Sequence, residues 1–281
     1  MPFPSTYETH GAVTPVTDRV RALGGLMPID GSLSWIAGGV TGIAPLHCYL
    51  IETDGGPILL DSGAPVHESL LLGQLDEYLP EAEELVLVLS RIVEFDSFGN
   101  AGTIMDRYPV VHVYSQFPVG EWVYYRHVHD EVKREAPPRW TPLQGGLELS
   151  AASDEAVALE AIDAPLRLLA TWWFYEPATR VLFTSDSFGH AVRADPYSPG
   201  CVTDENDDTS LDAVREHLLA KFDWVTVADT APLQERLRAI FETRQIEAIA
   251  PSYGRPLVGA KIVQRHYEMM QNTLEELSVT T

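Results

Sequence analysis

The stretch "YLIETDGGPILLDSG", residues 49–63, decides the fold. Two apolar runs flank the tripeptide Asp54-Gly55-Gly56, and a short glycine-containing turn between such runs is a strong signal for a β-hairpin. The second run ends in Asp61, which places a carboxylate directly after a buried strand. The stretch therefore predicts a strand pair with an acidic group at its end.

Strands and helices alternate outward from this hairpin in both halves of the chain. The pattern predicts an α/β fold with two mixed sheets and outer helices, in a single domain over residues 1–281. Further strands are predicted at "ELVLVLS", "VVHVYS", "AVALEAI", "LRLLATWWFYE", "RVLFTSD" and "IEAIAPSYG". Helices are predicted at "HESLLLGQLDEYL", at "NAGTIMDRYP" and over about 210–221, 231–244 and 259–277.

The charge of the chain limits its partners. It carries 41 acidic and 19 basic residues, a formal net charge of −22, so nucleic acid and anionic membranes are not expected as partners. No apolar run is long enough to span a membrane, and the first residues lack the pattern of a secretory signal. With two cysteines there is no disulfide framework, and a cytoplasmic protein is expected.

A second stretch, "VLSRIVEFDSFGNAG" at residues 88–102, has the rhythm of a metal-binding loop at a strand end. Glu94 and Asp96 alternate after a short apolar strand and precede a Gly-Asn turn. Imidazole is a preferred ligand for iron and zinc, yet the stretch contains no histidine.

Together these stretches resemble the metallo-β-lactamase-fold superfamily, in its flavodiiron and oxygen-binding diiron branch. Similar features recur in "LRLLATWWFYEPATRVLFTSDSFGH" and in "IEAIAPSYG", so the resemblance covers about residues 40–260. It implies the αββα four-layer fold of that superfamily. It also implies a set of histidine and carboxylate ligands that holds two irons.

Only part of that ligand set is kept in this sequence. By the resemblance, the carboxylate positions are retained as Glu94, Asp96 and Asp186. The four histidine positions carry Ile92, Ser97, Arg167 and Tyr253. A conventional dinuclear centre is therefore not expected, because isoleucine offers no donor and a guanidinium is permanently cationic. No metal or other cofactor is predicted.

Arg167 suggests what replaces the metal. A guanidinium among Glu94, Asp96 and Asp186 would supply the positive charge that clustered carboxylates need. The hypothesis is a pocket in which these four residues and Tyr253 bind a small organic molecule or catalyse a metal-independent reaction. The aromatic run at 172–175 is expected mainly in the core, with one face forming a pocket wall. A homodimer is expected by family analogy.

The alternative is a metal-dependent oxidoreductase or hydrolase with a single iron, zinc or manganese ion. Its oxygen-rich shell, which would also suit a hard cation, would come from Asp96, Ser97, Asp186 and Tyr253. Other options are nearby imidazoles at His47 and His190, a relocated site at His127 and His129, and a nucleophile at Ser97 or Cys48. No flavodoxin-like module is recognisable, so reduction of oxygen or nitric oxide by the family mechanism is not expected.

Overall fold

The computed structural model describes residues 11, 13–31, 33–79, 83–92, 94–118, 137–153 and 156–279. The chain forms two mixed β-sheets, one of seven strands and one of six, with flanking helices. It divides into two compact units. Unit 1 comprises Met1–Gly25 and Leu46–Asp163, and unit 2 comprises Leu26–Pro45 and Ala164–Thr281. The predicted single domain over residues 1–281 stays a prediction.

The seven-stranded sheet carries most of unit 1, and its strands lie in chain order. The first strand pairs in the sheet, β1–β2 and β3–β4, are antiparallel, whereas β4 to β7 run parallel. Unit 1 also contains an antiparallel hairpin of β8 and β9. The strands are β1 (Thr14–Pro15), β2 (Val20–Pro28), β3 (Ile43–Ile51), β4 (Ile58–Leu60), β5 (Leu85–Val88), β6 (Val110–Ser115), β7 (Arg139–Pro142), β8 (Glu148–Ser150) and β9 (Val157–Asp163).

The hairpin predicted from residues 49–63 is confirmed. In β3 and β4, Leu50 pairs with Leu59, and both side chains are fully buried. The turn contains Gly56 at a φ of 111°, a conformation that glycine adopts without strain. The Thr53 hydroxyl donates to the Gly56 carbonyl at 2.6 Å, which closes the turn.

The described part of unit 1 also contains three α-helices. Helix α1 (Glu68–Tyr78) lies between β4 and β5 in the chain, and α2 (Phe95–Phe98) and α3 (Ala101–Arg107) lie between β5 and β6. Their inward side chains join the strands in one apolar core, in which Leu75 and Ile104 are wholly buried. The one-turn helix α2 comes shortly after β5 and begins at the acidic motif, so the core fixes the position of the carboxylates at its start.

Besides the ends of β2 and β3 that fall within Leu26–Pro45, the described residues of unit 2 form four strands and three long helices. Strands β10 and β11 are antiparallel, β11 and β12 parallel, and β12 and β13 antiparallel. The strands are β10 (Trp172–Glu176), β11 (Val181–Ser185), β12 (Ala248–Pro251) and β13 (Leu257–Val258), and the helices are α4 (Leu211–Lys221), α5 (Ala231–Thr243) and α6 (Ala260–Leu277).

Most predicted elements are present, but one strand is shorter than predicted. The stretch "LRLLATWWFYE" becomes a strand only from Trp172, and Arg167 lies in the irregular segment before it. The reason is local: residues 167–169 are exposed, so no buried face holds them in a sheet. Among the helices in the described ranges, none is long and apolar enough to cross a membrane.

Candidate functional site

The centre of the candidate site in unit 1 is Arg91, which the sequence prediction did not include. Its side chain is 0% exposed, and its Nη1 and Nη2 atoms donate to two different carboxylates. Nη1 lies 2.6 Å from Glu94 Oε2, and Nη2 lies 2.7 Å from Asp96 Oδ2. The carboxylate side chains are 20% and 21% exposed. Arg91 is thus a buried cation that is hydrogen-bonded to two partly exposed carboxylates.

A third carboxylate, Asp61, lies deeper in the same unit. Its Oδ1 accepts from the Ser90 amide at 2.8 Å and from the Ser97 hydroxyl, and its Oδ2 accepts from the Ser90 hydroxyl at 2.8 Å. Burial raises the pKa of Asp61 to about 6, although Arg91 and these hydrogen bonds lower it. Desolvation therefore outweighs the favourable partners.

The backbone around α2 explains how the motif presents its side chains. Glu94 has extended backbone dihedrals and begins the helix, and the amides of Ser97 and Phe98 donate to its carbonyl. Gly99 follows the last residue of α2. A larger residue would not fit there, because its Cβ atom would lie 2.5 Å from the Phe95 carbonyl oxygen. Phe95, which lies between the two carboxylates in sequence, is 50% exposed.

Two of the positions that carry histidine in the resembling family lie in unit 1. Ile92 is buried in the apolar core, where it offers no donor atom. Ser97 is also buried, and its hydroxyl already donates to Asp61 and accepts from the Arg91 amide at 3.1 Å. Both side chains are thus part of the packing of unit 1.

In unit 2 the retained carboxylate is Asp186, at the end of β11. It is paired with Lys221, the last residue of α4, at 3.2 Å between Nζ and Oδ2. The Lys221 side chain is 10% exposed, and the Asp186 side chain is 7% exposed. The His217 Nε2 atom donates to the backbone carbonyl of Asp186 at 3.1 Å. Lys221 therefore supplies a positive charge that the prediction had assigned to arginine.

The other two positions that carry histidine in the resembling family, Arg167 and Tyr253, differ in burial. Arg167 is exposed, and Asp186 is paired with Lys221, so the predicted pairing of Arg167 with Asp186 stays a prediction. Its predicted role beside Glu94 and Asp96 stays a prediction. Tyr253 is 2% exposed, and its ring lies 5.7 Å from the ring of His217.

The aromatic run at the start of β10 is packed in the core, as expected. Trp172, Trp173 and Phe174 are buried, and the Trp173 ring meets Phe188 edge-on at 6.2 Å. Tyr175 is partly exposed, and its hydroxyl donates to the Gln245 carbonyl at 2.7 Å. The predicted pocket wall of this run stays a prediction.

The histidines left open by the sequence fall into two groups. His47 lies buried in β3, with its ring 5.8 Å from that of Tyr49. His190 is buried in unit 2 and is hydrogen-bonded to His266. His127 and His129 lie outside the described residues.

Two chemical alternatives can be compared with these contacts. Within the described ranges, no three His, Cys, Asp or Glu side chains are grouped so that they could hold a metal ion. Among the described residues, the retained carboxylates of each unit do not fit an iron site: in unit 1 Glu94 and Asp96 are bonded to Arg91, and in unit 2 Asp186 is bonded to Lys221. Burial, with a smaller effect of Asp61, raises the pKa of the Cys48 thiol far above its ordinary value, which opposes its use as a nucleophile.

Sequence reasoning missed several charged or titratable residues. Arg91 gave a weak signal, a charged residue at the end of an apolar strand and directly before the motif. His266 gave a stronger one, because it follows Ile262 and precedes Met270 on the buried stripe of α6. His217 similarly falls on the buried face of α4 between Val214 and Leu218.

Comparison with solved structures identifies the fold as that of the metallo-β-lactamase superfamily, in the form found in flavodiiron proteins. The chain is similar to rubredoxin:oxygen oxidoreductase from Desulfovibrio gigas, with 18% identity and a TM-score of 0.64 over 94% of this chain and 62% of that one. It is similar to the Flv1 flavodiiron core from Synechocystis sp. PCC6803, with 17% identity and a TM-score of 0.65 over 94% and 62%.

A third similar structure is a metallo-β-lactamase from Pontibacter korlensis, with 14% identity and a TM-score of 0.51 over 93% of this chain and 99% of that one. The chain thus spans about three fifths of the two larger proteins. No protein-family model matches it, and no curated protein matches it either. At these identities the similarity establishes the fold alone, and the fold does not fix an activity.

Proposed function

We propose that this chain is a metal-independent relative of the diiron proteins, which binds a small organic molecule at the Glu94–Asp96 motif. The observation that carries the proposal is the buried guanidinium of Arg91, bonded to both carboxylates at 2.6 and 2.7 Å. In the resembling family these positions hold metal. Here a covalently fixed cation takes that electrostatic role.

A fixed cation at this position opposes metal binding. Arg91 is fully buried, and charges interact more strongly in such an environment than in water. A divalent cation bound to the same carboxylates would be repelled by the guanidinium and would compete for its hydrogen-bonded oxygens. The carboxylate pair is therefore better suited to hydrogen-bond donors than to a metal.

The local charge favours a cationic ligand. One guanidinium faces Glu94 and Asp96, so this group of three carries a net charge of −1, and Asp61 adds negative charge when it is ionised. Both motif carboxylates are partly exposed, and the half-exposed Phe95 ring between them in sequence provides an apolar and π-electron surface. An amine attached to a flat apolar group matches these features.

Metal content tests the first half of the proposal. Protein purified without chelator from cells supplied with iron, zinc and manganese should contain less than about a tenth of an equivalent of any of them. The double variant Ile92→His, Ser97→His should still bind little metal while Arg91 is present. It should gain metal when Arg91→Gln is added. A near-stoichiometric metal in the wild type would overturn the proposal.

Ligand charge tests the second half. Benzylamine and benzoate have similar rings and opposite charges, so calorimetric titration should detect benzylamine binding and no benzoate binding. Glu94→Gln should weaken benzylamine binding by about tenfold, the loss of one charge-assisted hydrogen bond. Glu247→Gln is the matched control, because Glu247 also pairs with an arginine, Arg180, but on the surface. Equal binding of both probes would contradict the charge argument.

A further inference from the structure

A chain of three hydrogen-bonded side chains runs through the interior of unit 2. His190 Nε2 lies 2.7 Å from His266 Nδ1, and His266 Nε2 lies 3.3 Å from Asp207 Oδ2. The two imidazole rings lie edge to edge, with centroids 5.0 Å apart and planes 8° from parallel. His266 is 0% exposed, His190 is 8% exposed and the Asp207 side chain is 2% exposed. These hydrogen bonds connect Asp207 in the loop before α4, His266 in helix α6 and His190 in the segment after β11.

Asp207 sets the order of the protons in this chain. Burial alone would raise its pKa, but hydrogen bonds from Thr209 and the nearby His266 and Arg265 lower it, so the carboxylate is ionised at neutral pH. An ionised carboxylate only accepts hydrogen bonds, so His266 Nε2 carries a hydrogen and donates it. Burial lowers the pKa of His266 despite Asp207, so its ring is neutral and its Nδ1 is an acceptor.

The second imidazole follows from the first. Because His266 Nδ1 accepts, His190 Nε2 must donate, and burial with the adjacent His266 and His217 lowers the pKa of His190 and keeps its ring neutral. His190 Nδ1 then holds an unshared electron pair. This atom is buried and has no hydrogen-bond partner among the residues that the structure describes. Buried polar atoms of this kind are usually hydrogen-bonded in folded proteins.

The surroundings of His190 are aromatic. Its ring lies 6.4 Å from the Phe188 ring and 5.9 Å from the His217 ring, and Phe188 contacts Trp173 and Phe241 at 6.2 Å. The charged group at the other end of the chain is Arg265, which pairs with Asp207 Oδ2 at 2.6 Å. A basic nitrogen in an apolar setting favours a neutral ligand with one hydrogen-bond donor.

We infer that His190 Nδ1 is the hydrogen-bond acceptor of a binding site for a small hydroxylic molecule, such as water, an alcohol or a phenol. The ligand O–H donates to Nδ1, and the hydrogen bonds through His266 to Asp207 keep that atom free of hydrogen. This inference concerns unit 2 alone and does not rest on the proposed role of Arg91.

Histidine tautomers provide the direct test. In protein labelled with ¹⁵N-histidine, long-range ¹H–¹⁵N correlation at neutral pH should show hydrogen on Nε2 of both His190 and His266. Asp207→Asn replaces the anionic acceptor by a neutral amide, which should weaken the preference for Nε2–H and increase the population of the Nδ1–H tautomer in both rings. Asp208→Asn is the matched control, the same change at the adjacent exposed carboxylate, and should leave both tautomers as in the wild type.

Phenol is the probe for the ligand site. Titration of the wild type should shift the His190 Nδ1 resonance saturably, and Asp207→Asn should weaken phenol binding by at least about tenfold, which is the loss of one hydrogen bond. Asp208→Asn should bind phenol as the wild type does. Hydrogen on His190 Nδ1 in the wild type, or unchanged tautomers in folded Asp207→Asn, would overturn the relay. Correct tautomers without a saturable phenol shift would overturn the ligand site.

Discussion

The two units neutralise their retained carboxylates in different ways. In unit 1 one wholly buried guanidinium, Arg91, holds both Glu94 and Asp96 in place. In unit 2 an ammonium group at the end of a flexible side chain, Lys221, meets the single carboxylate of Asp186. A guanidinium is a planar fork that can bridge two anions, whereas an ammonium is a compact point charge. The difference predicts that unit 1 depends more strongly on its cation than unit 2 does.

Removal of Arg91 should give the largest effect. Arg91→Met leaves two carboxylates without their buried partner, so we expect a loss of about 3–5 kcal/mol in the free energy of unfolding, measured by urea denaturation. Arg180→Met is the control, because Arg180 pairs with Glu247 on the surface at 47% and 46% exposure and should change stability by less than about 1 kcal/mol. Equal losses in the two variants would remove the distinction between the buried and surface pairs.

The pH dependence of unit 1 should be the next effect in size. Asp61 has its pKa raised to about 6 in the folded state, above its ordinary value of 3.8. The folded protein therefore binds more protons than the unfolded chain between about pH 4 and pH 6, and Asp61 makes the protein less stable as pH rises through that window. Asp61→Asn removes this contribution.

The measurement is the difference in unfolding free energy between wild type and Asp61→Asn across that window. We expect the wild type to lose up to about 3 kcal/mol relative to the variant between about pH 4 and pH 7. Parallel stability curves would contradict the raised pKa. They would then show that Arg91 and the hydrogen bonds from Ser90 and Ser97 fully offset the burial of the Asp61 carboxylate.

Loss of the lysine in unit 2 should cost less. Lys221→Met removes the partner of Asp186 but keeps most of the apolar stem that packs at the end of α4, so we expect a loss of about 2 kcal/mol. Lys261→Met is the control, because Lys261 pairs with Asp204 at 84% and 61% exposure. A loss as large as that of Arg91→Met would show that the stability of unit 2 depends on its cation as strongly as that of unit 1 does.

The fold could be predicted from the sequence because its strongest signals are local. The turn at Asp54-Gly55-Gly56 sets the β3–β4 hairpin, and the short apolar run at 85–88 forms the buried strand β5. The stretch before β10 could not be predicted as well, since its apolar residues Leu168 and Leu169 are exposed. Whether other elements cover such a run depends on the tertiary structure, which the periodicity of the sequence does not specify.

The site was only partly predictable for a similar reason. The family pattern drew attention to the ligand positions, so it led to the prediction of Glu94, Asp96 and Asp186 as site residues but passed over the residue close to the motif, Arg91. Carboxylate positions carry over because the pattern itself names them. The cation that neutralises them can come from any nearby backbone position whose side chain reaches the same place, and sequence spacing does not specify that reach.

Arg167 provides the smallest predicted effect and the most direct test of this lesson. Its side chain is exposed and makes no ion pair with the described residues of unit 2, so Arg167→Ala should change the free energy of unfolding by less than about 0.5 kcal/mol. The measurement is urea denaturation alongside Arg91→Met. A loss above about 2 kcal/mol would show that Arg167 has a charged partner after all, because an exposed arginine without one contributes little. The hypothesis drawn from the family position would then regain support over the one drawn from Arg91.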